Sequence, residues 1–444
     1  MLGPYVSNMN VAAIDPSHLL IQLEGILESD PLIDEVGFIH PTQFSFFSED
    51  VHSSTSLSSV ADGSFLEDET SKSESTLYNS SDTCFWHNEH KLGISTLVLV
   101  QLYKAAKDAF MVSHRRCRML SNSQCKKDEK LDENASVCAT SFLDIAEFEV
   151  MRHSKALLLL SSDFGTAWNS RKLIVSKKQL LPMFMDELLL SALVLSYSPK
   201  SERAWSHRYS LNLLLCGLSG RRWVIKMIAG KCANLPEIVE RESELVKKIV
   251  ENSKMNYRAW NHRCWLVSYM SESQVLRELL SSRDWAALHV ADNSCFHFRA
   301  RLLVQMIENS QLNKDSDGLS DGELHKIWKE ELDWDAMLIR QYVGRESLWL
   351  HRRFLSLLWM KHLAVDDQSN MFIKDEIMLF QSCTIIPDNE YGDYQAQATF
   401  SATYITWLAK QMPVSFGVVL QESSQLEAVK LLLDQAEKSF LWGY

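Results

Sequence analysis

Histidine and arginine recur at fixed distances after an aromatic residue in this 444-residue chain, and both side chains can take part in chemistry. Histidine is the usual general acid–base group and metal ligand, and arginine binds anions. The best-preserved copy is the octapeptide NYRAWNHR, Asn256–Arg263. In each copy arginine follows the aromatic residue by three positions and an aliphatic residue follows by six. The five copies are Trp168 with Arg171 and Ile174, Trp205 with Arg208 and Leu211, Trp260 with Arg263 and Leu266, Phe296 with Arg299 and Leu302, and Trp349 with Arg352 and Leu355.

The histidine between the aromatic residue and the arginine is present in three copies, as His207, His262 and His351. Ser170 and Phe298 take its place in the first and fourth copies. No carboxylate stands at metal-ligand spacing on the same helices, so the pattern does not favour a metal site. We expect these histidines to line one surface or to cap carbonyl groups.

The tryptophan and the arginine lie about 60° apart on a helical wheel, so they share one face of the helix. The histidine lies about 200° from the tryptophan and faces a different neighbour. Arginine can donate to carbonyl groups that end an adjacent helix or pair with a carboxylate such as Glu187 or Glu244. Tryptophan can fill the space between helix pairs. The repeated residues are therefore predicted to stack repeats and not to catalyse.

An acidic residue followed by leucine stands before three of the aromatic residues, as Glu187–Leu188, Glu244–Leu245 and Glu331–Leu332, and a turn such as Ser198-Pro199-Lys200 follows. The repeat unit is thus helix, turn, helix. Aromatic-to-aromatic spacings of 37, 55, 36 and 53 residues place insertions near 217–236 and 310–322. This pattern predicts an all-α protein, an α-α superhelix forming a right-handed solenoid, or crescent, of helical hairpins.

The remaining segments differ in composition. A helix is expected over 15–27 and an extended run over 36–39, and Leu92–Arg118 is expected to be a helix ending in the basic cluster 114–118. That cluster could bind an anion or a prenyl diphosphate, but cations at a helix C-terminus are the favoured interpretation. The predicted organisation is an N-terminal helix and extended segment (1–47), a disordered acidic, Ser-rich insert (48–83), a helix and charged linker (84–138), the five repeats (139–362) and a C-terminal helical extension (363–444).

The composition excludes several classes of protein. A net charge of −12 argues against nucleic-acid binding. The nine cysteines contain no Cys-x-x-Cys pair, and no run approaches the roughly 18 apolar residues of a membrane span. We therefore expect a cytoplasmic protein without a transmembrane segment. No phosphate-binding glycine loop, nucleophile elbow or metal constellation is present, so the chain has no recognisable active site of its own.

The WSHR, WNHR and WLHR cores at Trp205, Trp260 and Trp349 resemble the repeat of protein prenyltransferase α subunits. The resemblance covers about Ser141 to Met360, roughly half of the chain. It implies a crescent wrapped around a separate β subunit, which would hold the zinc, the isoprenoid and most catalytic residues. No cofactor is then expected on this chain.

The resemblance also implies a role for Lys200, because some family members place a lysine five residues before the tryptophan of the second repeat, where it reaches the isoprenoid diphosphate. Lys200 would stabilise charge on the leaving diphosphate. The family's Asn-Tyr pair, kept here at Asn256 and Tyr257, is replaced after Lys200 by Ser201 and Glu202. An exposed turn lysine is the equally open alternative.

The function implied by the resemblance is that of an α-type regulatory or structural subunit, inactive alone, in a heterodimeric protein prenyltransferase. Its partners would be a β subunit, with the Rab geranylgeranyltransferase type favoured, and a protein substrate with an acceptor cysteine. Farnesyl transfer stays open. A catalytically silent helical-repeat scaffold and a substrate-presenting adaptor are the alternatives.

Overall fold

The computed structural model describes residues 15–40, 42–43, 84–125, 133–178, 180–210, 235–312, 320–364, 369–385 and 392–422. The chain forms two compact units, Met1–Leu235 and Pro236–Tyr444. The predicted disorder of 48–83 and the predicted insertion near 217–236 lie outside the described residues, apart from the last two positions of that insertion. Of the second predicted insertion, 313–319 also lies outside them.

The first unit combines helices with one small sheet. Its elements are α1 (Pro16–Ser29), β1 (Glu35–Ile39), β2 (Phe85–Asn88), β3 (Lys91–Ser95), α2 (Leu99–Cys125), α3 (Glu133–Leu160), α4 (Gly165–Lys178), α5 (Leu181–Tyr197) and α6 (Glu202–Ser210). Helix α1 begins where expected, because the Asp15 side chain accepts a hydrogen bond from Ser17 N and Pro16 occupies the first turn. Its leucines at 19, 20, 23 and 27 are buried.

The three strands have the order β1-β3-β2, with β1 parallel and β2 antiparallel to β3. The extended run expected over 36–39 is confirmed as β1. The helix expected from Leu92 to Arg118 is wrong at both ends. Leu92 and Ile94 are buried strand residues of β3, and α2 continues past the basic cluster to Cys125.

The second unit is a series of helices. Its elements are α7 (Leu235–Asn252, whose first residue closes the first unit), α8 (Tyr257–Leu266), α9 (Glu272–Leu288), α10 (Asn293–Leu312), α11 (Asp321–Gln341), α12 (Glu346–Leu358), α13 (Ser369–Cys383), α14 (Gly392–Gln411) and α15 (Pro413–Glu422). Capping boxes start two of them, at Ser271 with Gln274 and at Ser320 with Glu323. A short 3₁₀ turn follows α8 and a π turn follows α12.

Consecutive helices pair as hairpins, so the prediction of an all-α helical-repeat protein is confirmed for the described residues, with the small sheet as an unexpected addition. The repeat hairpins with both helices described are α3–α4, α5–α6, α7–α8, α9–α10 and α11–α12. Helix α3 begins at Glu133, inside the segment 84–138 predicted to end in a charged linker. A further hairpin, α13–α14, follows the fifth repeat, and its two helices pack together.

Candidate functional site

The repeated arginines are buried on the second helix of each hairpin. Arg171, Arg208, Arg263, Arg299 and Arg352 each expose at most 3% of their surface. For four of them the structure gives a glutamate on the first helix of the next hairpin as partner. These pairs are Arg171 with Glu187, Arg263 with Glu278, Arg299 with Glu331 and Arg352 with Glu376. We call each buried pair an Arg–Glu joint.

The joint at Arg171 shows the complete arrangement. Its Nε donates to Glu187 Oε2 at 3.1 Å and its Nη2 to Glu187 Oε1 at 2.6 Å. The third nitrogen, Nη1, turns back to its own hairpin and donates to Met151 O at 2.6 Å and Ser154 Oγ at 2.8 Å. A planar guanidinium suits this geometry, since one side binds a carboxylate bidentately while another nitrogen serves a different helix.

The arginine contacts residues of its own hairpin at constant sequence distances. Nη1 donates to the carbonyl group 20 residues earlier and to a serine 17 residues earlier in three copies. The pairs are Met151 and Ser154 for Arg171, Leu188 and Ser191 for Arg208, and Leu279 and Ser282 for Arg299. These carbonyl groups lie inside helices, so the expected contact with carbonyls that end a helix is wrong. Arg171 and Arg299 instead join both helices of their own hairpins to the next hairpin.

The histidines neither line a surface nor cap carbonyl groups, so that expectation is wrong. His207, His262 and His351 are buried, and each Nε2 lies on a glutamate of the first helix of its own hairpin. The distances are 2.6 Å to Glu187, 2.6 Å to Glu242 and 3.1 Å to Glu331, always 20 residues before the histidine. Glu187 and Glu331 thereby bind the arginine of one repeat and the histidine of the next.

Two copies lack the histidine and use other groups. In the fourth copy Phe298 packs under the Arg263 guanidinium, 4.4 Å from its ring centre, and Ser243 donates to Glu278 Oε1 at 2.7 Å. The carboxylate therefore keeps a second donor without a histidine. In the first copy Ser170 lies 3.0 Å from His114 Nδ1 of α2.

The charges in the joints are set by their neighbours. Burial alone would raise the pKa of Glu187, but Arg171 and His207 outweigh it and lower the pKa to about 2. Burial likewise opposes ionisation of Glu331, and Arg299 and His351 lower its pKa to about 2. Burial also lowers the pKa of His207, against the pull of Glu187. The joints at Glu187 and Glu331 thus each contain a cationic arginine and an ionised glutamate, with a neutral histidine donating from Nε2.

The expected partner Glu244 is wrong, because its side chain is exposed. Glu242, two residues earlier, occupies the joint position and binds His262. The sequence signal that locates Glu242 is the spacing of 20 residues before the histidine, which also gives Glu187 for His207 and Glu331 for His351.

The C-terminal helices complete the last joint, which sequence patterns did not reveal. Glu376 on α13 accepts from Arg352 Nε at 3.0 Å and from the Tyr404 hydroxyl of α14 at 2.8 Å. Asp335 stands at the position 17 residues before Arg352 where other copies have serine, and its Oδ2 lies 3.6 Å from Arg352 Nη1. Burial raises the pKa of Asp335 well above its usual range, with Arg352 opposing it and Glu331 and Glu376 adding to it.

The turns before Trp205 and Trp260 supply the caps of the helices that follow. Asn256 Oδ1 accepts from Ala259 N at 3.2 Å, and Ser201 Oγ accepts from Ala204 N at 3.2 Å. Both residues stand four positions before the tryptophan and begin the second helix. The replacement of asparagine by serine in the second repeat therefore preserves the start of the helix. Tyr257, next to Asn256, is 60% exposed.

The tryptophans are almost fully buried. Their indole N–H groups donate either to the turn of their own hairpin or to a residue further along the chain. Trp168 Nε1 donates to Ser162 O at 2.8 Å and Trp205 Nε1 to Pro199 O at 2.9 Å, each six residues earlier. Trp260 Nε1 donates instead to Asp292 at 3.2 Å and Trp349 Nε1 to Gln397 at 3.1 Å. The aromatic residue of the fourth copy, Phe296, is 3% exposed.

Lys200 is exposed in the turn between α5 and α6 and forms no ion pair with the residues that the structure describes. An anion could approach its ammonium group. None of the buried joint residues lies in that turn. Lys200 and the joints are thus separate features of the second repeat.

Chemically reactive groups are few in the described part of the chain. Burial raises the pKa of the Cys264 and Cys295 thiols to about 12, which disfavours the nucleophilic thiolate. The described residues include no group of three or more His, Cys, Asp or Glu side chains placed to hold a metal ion. Their helices are also too short or too polar to cross a membrane.

Fold and joints together define a class of protein: a helical-hairpin repeat protein whose neighbouring hairpins are joined by buried arginine–glutamate pairs. Residues 239–270 and 328–358 match the family description "Protein prenyltransferase alpha subunit repeat". These ranges cover most of α7 and α11 and all of α8 and α12, with Trp260 and Trp349. Two hairpins of the chain are therefore similar to the repeat of protein prenyltransferase alpha subunits.

Named relatives agree with this assignment. The chain is 32% identical over 244 residues to human protein prenyltransferase alpha subunit repeat-containing protein 1, covering 48% of this chain and 59% of that protein. It is 30% identical over 284 residues to the 1-A protein of Xenopus laevis, covering 56% and 62%. It is also 22% identical over 181 residues to the geranylgeranyl transferase type-2 subunit alpha of Saccharomyces cerevisiae, covering 39% and 50%. The matched region thus spans about three fifths of the first two relatives.

Proposed function

We propose that this chain is the α-type subunit of a heterodimeric protein prenyltransferase in the cytoplasm. The partner is a β subunit of the Rab geranylgeranyltransferase type, and the assembly transfers geranylgeranyl to cysteines of a protein substrate. The observation that carries the proposal is the run of hairpins with Arg–Glu joints, of which two match the α-subunit repeat. The similarity to type-2 geranylgeranyl transferase α subunits favours the Rab type.

The proposal assigns the chemistry to the partner chain. Zinc on the β subunit would activate the acceptor cysteine as a thiolate. The buried thiols and the buried arginines paired with glutamates support a non-catalytic role for this chain. Its contribution is to hold the partner and to place exposed groups at the boundary between the subunits.

Lys200 is the residue for which we propose a contact with the isoprenoid diphosphate. Its exposure and its freedom from ion pairs within the described residues support this role. The cation would stabilise the charge that develops on the diphosphate as it leaves.

Coexpression with candidate β subunits, followed by copurification and transfer of radiolabelled isoprenoid, tests the function. A stable complex that transfers geranylgeranyl is expected, and failure to bind any β subunit would refute the proposal. Transfer of farnesyl in preference to geranylgeranyl would overturn the assignment to the Rab type.

Lys200→Ala tests the diphosphate contact, with Lys254→Ala as the matched control because Lys254 is an exposed lysine in the corresponding turn of the next repeat. We expect Lys200→Ala to slow turnover at least tenfold, equivalent to about 1.4 kcal/mol, while β-subunit binding stays unchanged. Equal turnover of the two variants would remove Lys200 from the mechanism.

A helical-repeat scaffold that binds a β subunit without transfer is the second candidate. The replacement of histidine by Phe298 and of the Asn-Tyr pair by Ser201 and Glu202 favours it. A stable complex that transfers neither isoprenoid to any protein substrate would support this alternative.

A further inference from the structure

Helix α2 presents a cationic face on the side away from the core of its unit. Its buried side is formed by Leu102, Ala106, Phe110 and Ser113. The cations Lys104, Lys107, Arg115 and Arg118 lie on the opposite side and are exposed. We call these four residues the cationic face. They lie within 15 residues of helix, and the first and last are about 21 Å apart along the axis at 1.5 Å per residue.

The cationic face has no anionic partner among the residues that the structure describes. The described ion pairs of this region use other cations, such as Arg116 with Glu149 and Lys177 with Glu147. One acidic residue, Asp108, lies on the same side of the helix. Exposed apolar residues accompany the cations, since Val112 is 59% and Met119 is 69% exposed. The surface is therefore positive and partly apolar in a chain whose net charge is −12.

The basic cluster at 114–118 does not form a single anion pocket. His114 is half-buried beside Ser170, and Arg116 pairs with Glu149 on α3. Arg116 is exposed but is paired, so only Arg115 and Arg118 of the cluster belong to the cationic face. An extended acidic polypeptide fits a row of cations of this length better than a compact diphosphate does.

An acidic segment of this chain begins and ends beside α2. The segment 48–83 contains eight acidic residues, Glu49, Asp50, Asp62, Glu67, Asp68, Glu69, Glu74 and Asp82, and one basic residue, Lys72. Ile39, before the segment, pairs with Ser95, and Phe85, after it, pairs with Ile94. Helix α2 starts at Leu99, so both flanks of the segment are held at its N-terminal end.

The distances allow the segment to reach the whole cationic face. Arg118 lies about 29 Å along the helix from Leu99 at 1.5 Å per residue. Half of the segment, extended at about 3.3 Å per residue, covers about 59 Å. Tethering at both ends also raises the local concentration of the acidic groups to the order of millimolar.

We propose that the acidic segment, residues 48–83, binds the cationic face of α2. The composition of the run Phe65-Leu66-Glu67-Asp68-Glu69 matches the C-terminal half of this face. Its apolar residues suit Val112 and Met119, and its carboxylates suit Arg115 and Arg118. Phosphate on the serines and threonines of the segment adds negative charge and tightens the contact.

Zero-length carbodiimide cross-linking of the full-length protein tests the proposal, because it joins amines to carboxylates in direct contact. We expect cross-links from Lys104 and Lys107 to carboxylates of 48–83. The pair Lys177 and Glu147, 2.9 Å apart, is the internal standard. The segment cross-links should fall several-fold from about 0.1 M to about 1 M salt, as the screening length falls from about 10 Å to about 3 Å.

Charge reversal provides the matched variants. Arg115→Glu with Arg118→Glu should reduce the segment cross-links several-fold, and adding Glu67→Lys, Asp68→Lys and Glu69→Lys should restore them. Lys326→Glu with Lys329→Glu, on exposed positions of α11, should leave them unchanged. Absence of segment cross-links while Lys177 and Glu147 react would overturn the proposal. Equal binding of the wild type and a variant lacking 48–83 to phosphatidylserine vesicles would also overturn it, and would assign the face to a membrane surface.

Discussion

Replacing Glu187 by glutamine should destabilise the first unit strongly, although it removes only one charge. Glu187 is fully buried and accepts two hydrogen bonds from Arg171 and one from His207. Breaking a buried pair by removing one partner costs about 3–5 kcal/mol, because the remaining charge is left uncompensated. Arg171 keeps its bonds to Met151 O and Ser154 Oγ, and glutamine can still accept one bond, so we expect the lower end, about 3 kcal/mol.

Urea unfolding followed by far-UV circular dichroism measures this loss. Glu244→Gln is the matched control, since Glu244 is exposed, and its effect should stay within about 0.5 kcal/mol. A double-mutant cycle with Arg171→Met and Glu187→Gln should give a coupling energy of about 2–3 kcal/mol. If Glu187→Gln changes the free energy of unfolding by no more than the control does, the Arg–Glu joint does not hold neighbouring hairpins together.

Three further predictions concern the same framework. Asp335→Ser restores the serine of other copies and should stabilise the protein by about 1–2 kcal/mol at neutral pH. The folded state retains the Asp335 proton, whereas the unfolded state loses it above pH 3.8, so the gain in the free energy of unfolding should grow as the pH rises. Urea unfolding at several pH values that shows a constant gain would contradict this prediction. Ser201→Ala removes a helix cap and should cost about 1 kcal/mol in thermal unfolding, whereas Ser201→Asn should cost little; equal losses would argue against capping. The buried His207 has a lowered pKa, so the free energy of unfolding should fall as the pH drops below 6.5, and His207→Gln should weaken that fall. If the pH dependence of unfolding is the same in His207→Gln, His207 is not a neutral buried histidine.

The contact that the sequence could predict is the one within a single hairpin, between the histidine and the glutamate. The distance from glutamate to histidine is 20 residues in each of three copies, because the two helices and their turn keep a constant length. This regularity predicts the hairpin, and applying it strictly identifies Glu242. The prediction of Glu244 relied instead on the acidic-Leu pair, which is a weaker pattern.

The contacts between hairpins could not be read in the same way. From arginine to glutamate the distances are 16, 15, 32 and 24 residues, for the pairs starting at Arg171, Arg263, Arg299 and Arg352. The connections between hairpins vary in length, so no fixed spacing marks the partner. Glu376 and Tyr404 were missed for this reason, since they lie on helices without the aromatic signature.

The small sheet was missed for a different reason. Strands β2 and β3 have only four and five residues, and β1 pairs with β3 across the acidic segment. Short apolar runs do not distinguish a strand from a helix by periodicity. The parallel pairing of β1 and β3 is a tertiary contact that local patterns do not specify.

The burial of the conspicuous residues changes where function should be sought. His207, Arg208 and their counterparts have the chemistry of an active site, yet the structure uses them between helices, where they are almost fully buried. Ser201 likewise differs from Asn256 of the next repeat but keeps its capping role. Under the proposed function, prenyl transfer would depend on exposed residues that the repeat does not require. Lys200 is such a residue, and the comparison of Lys200→Ala with Lys254→Ala separates its charge from the stability of the repeats around it.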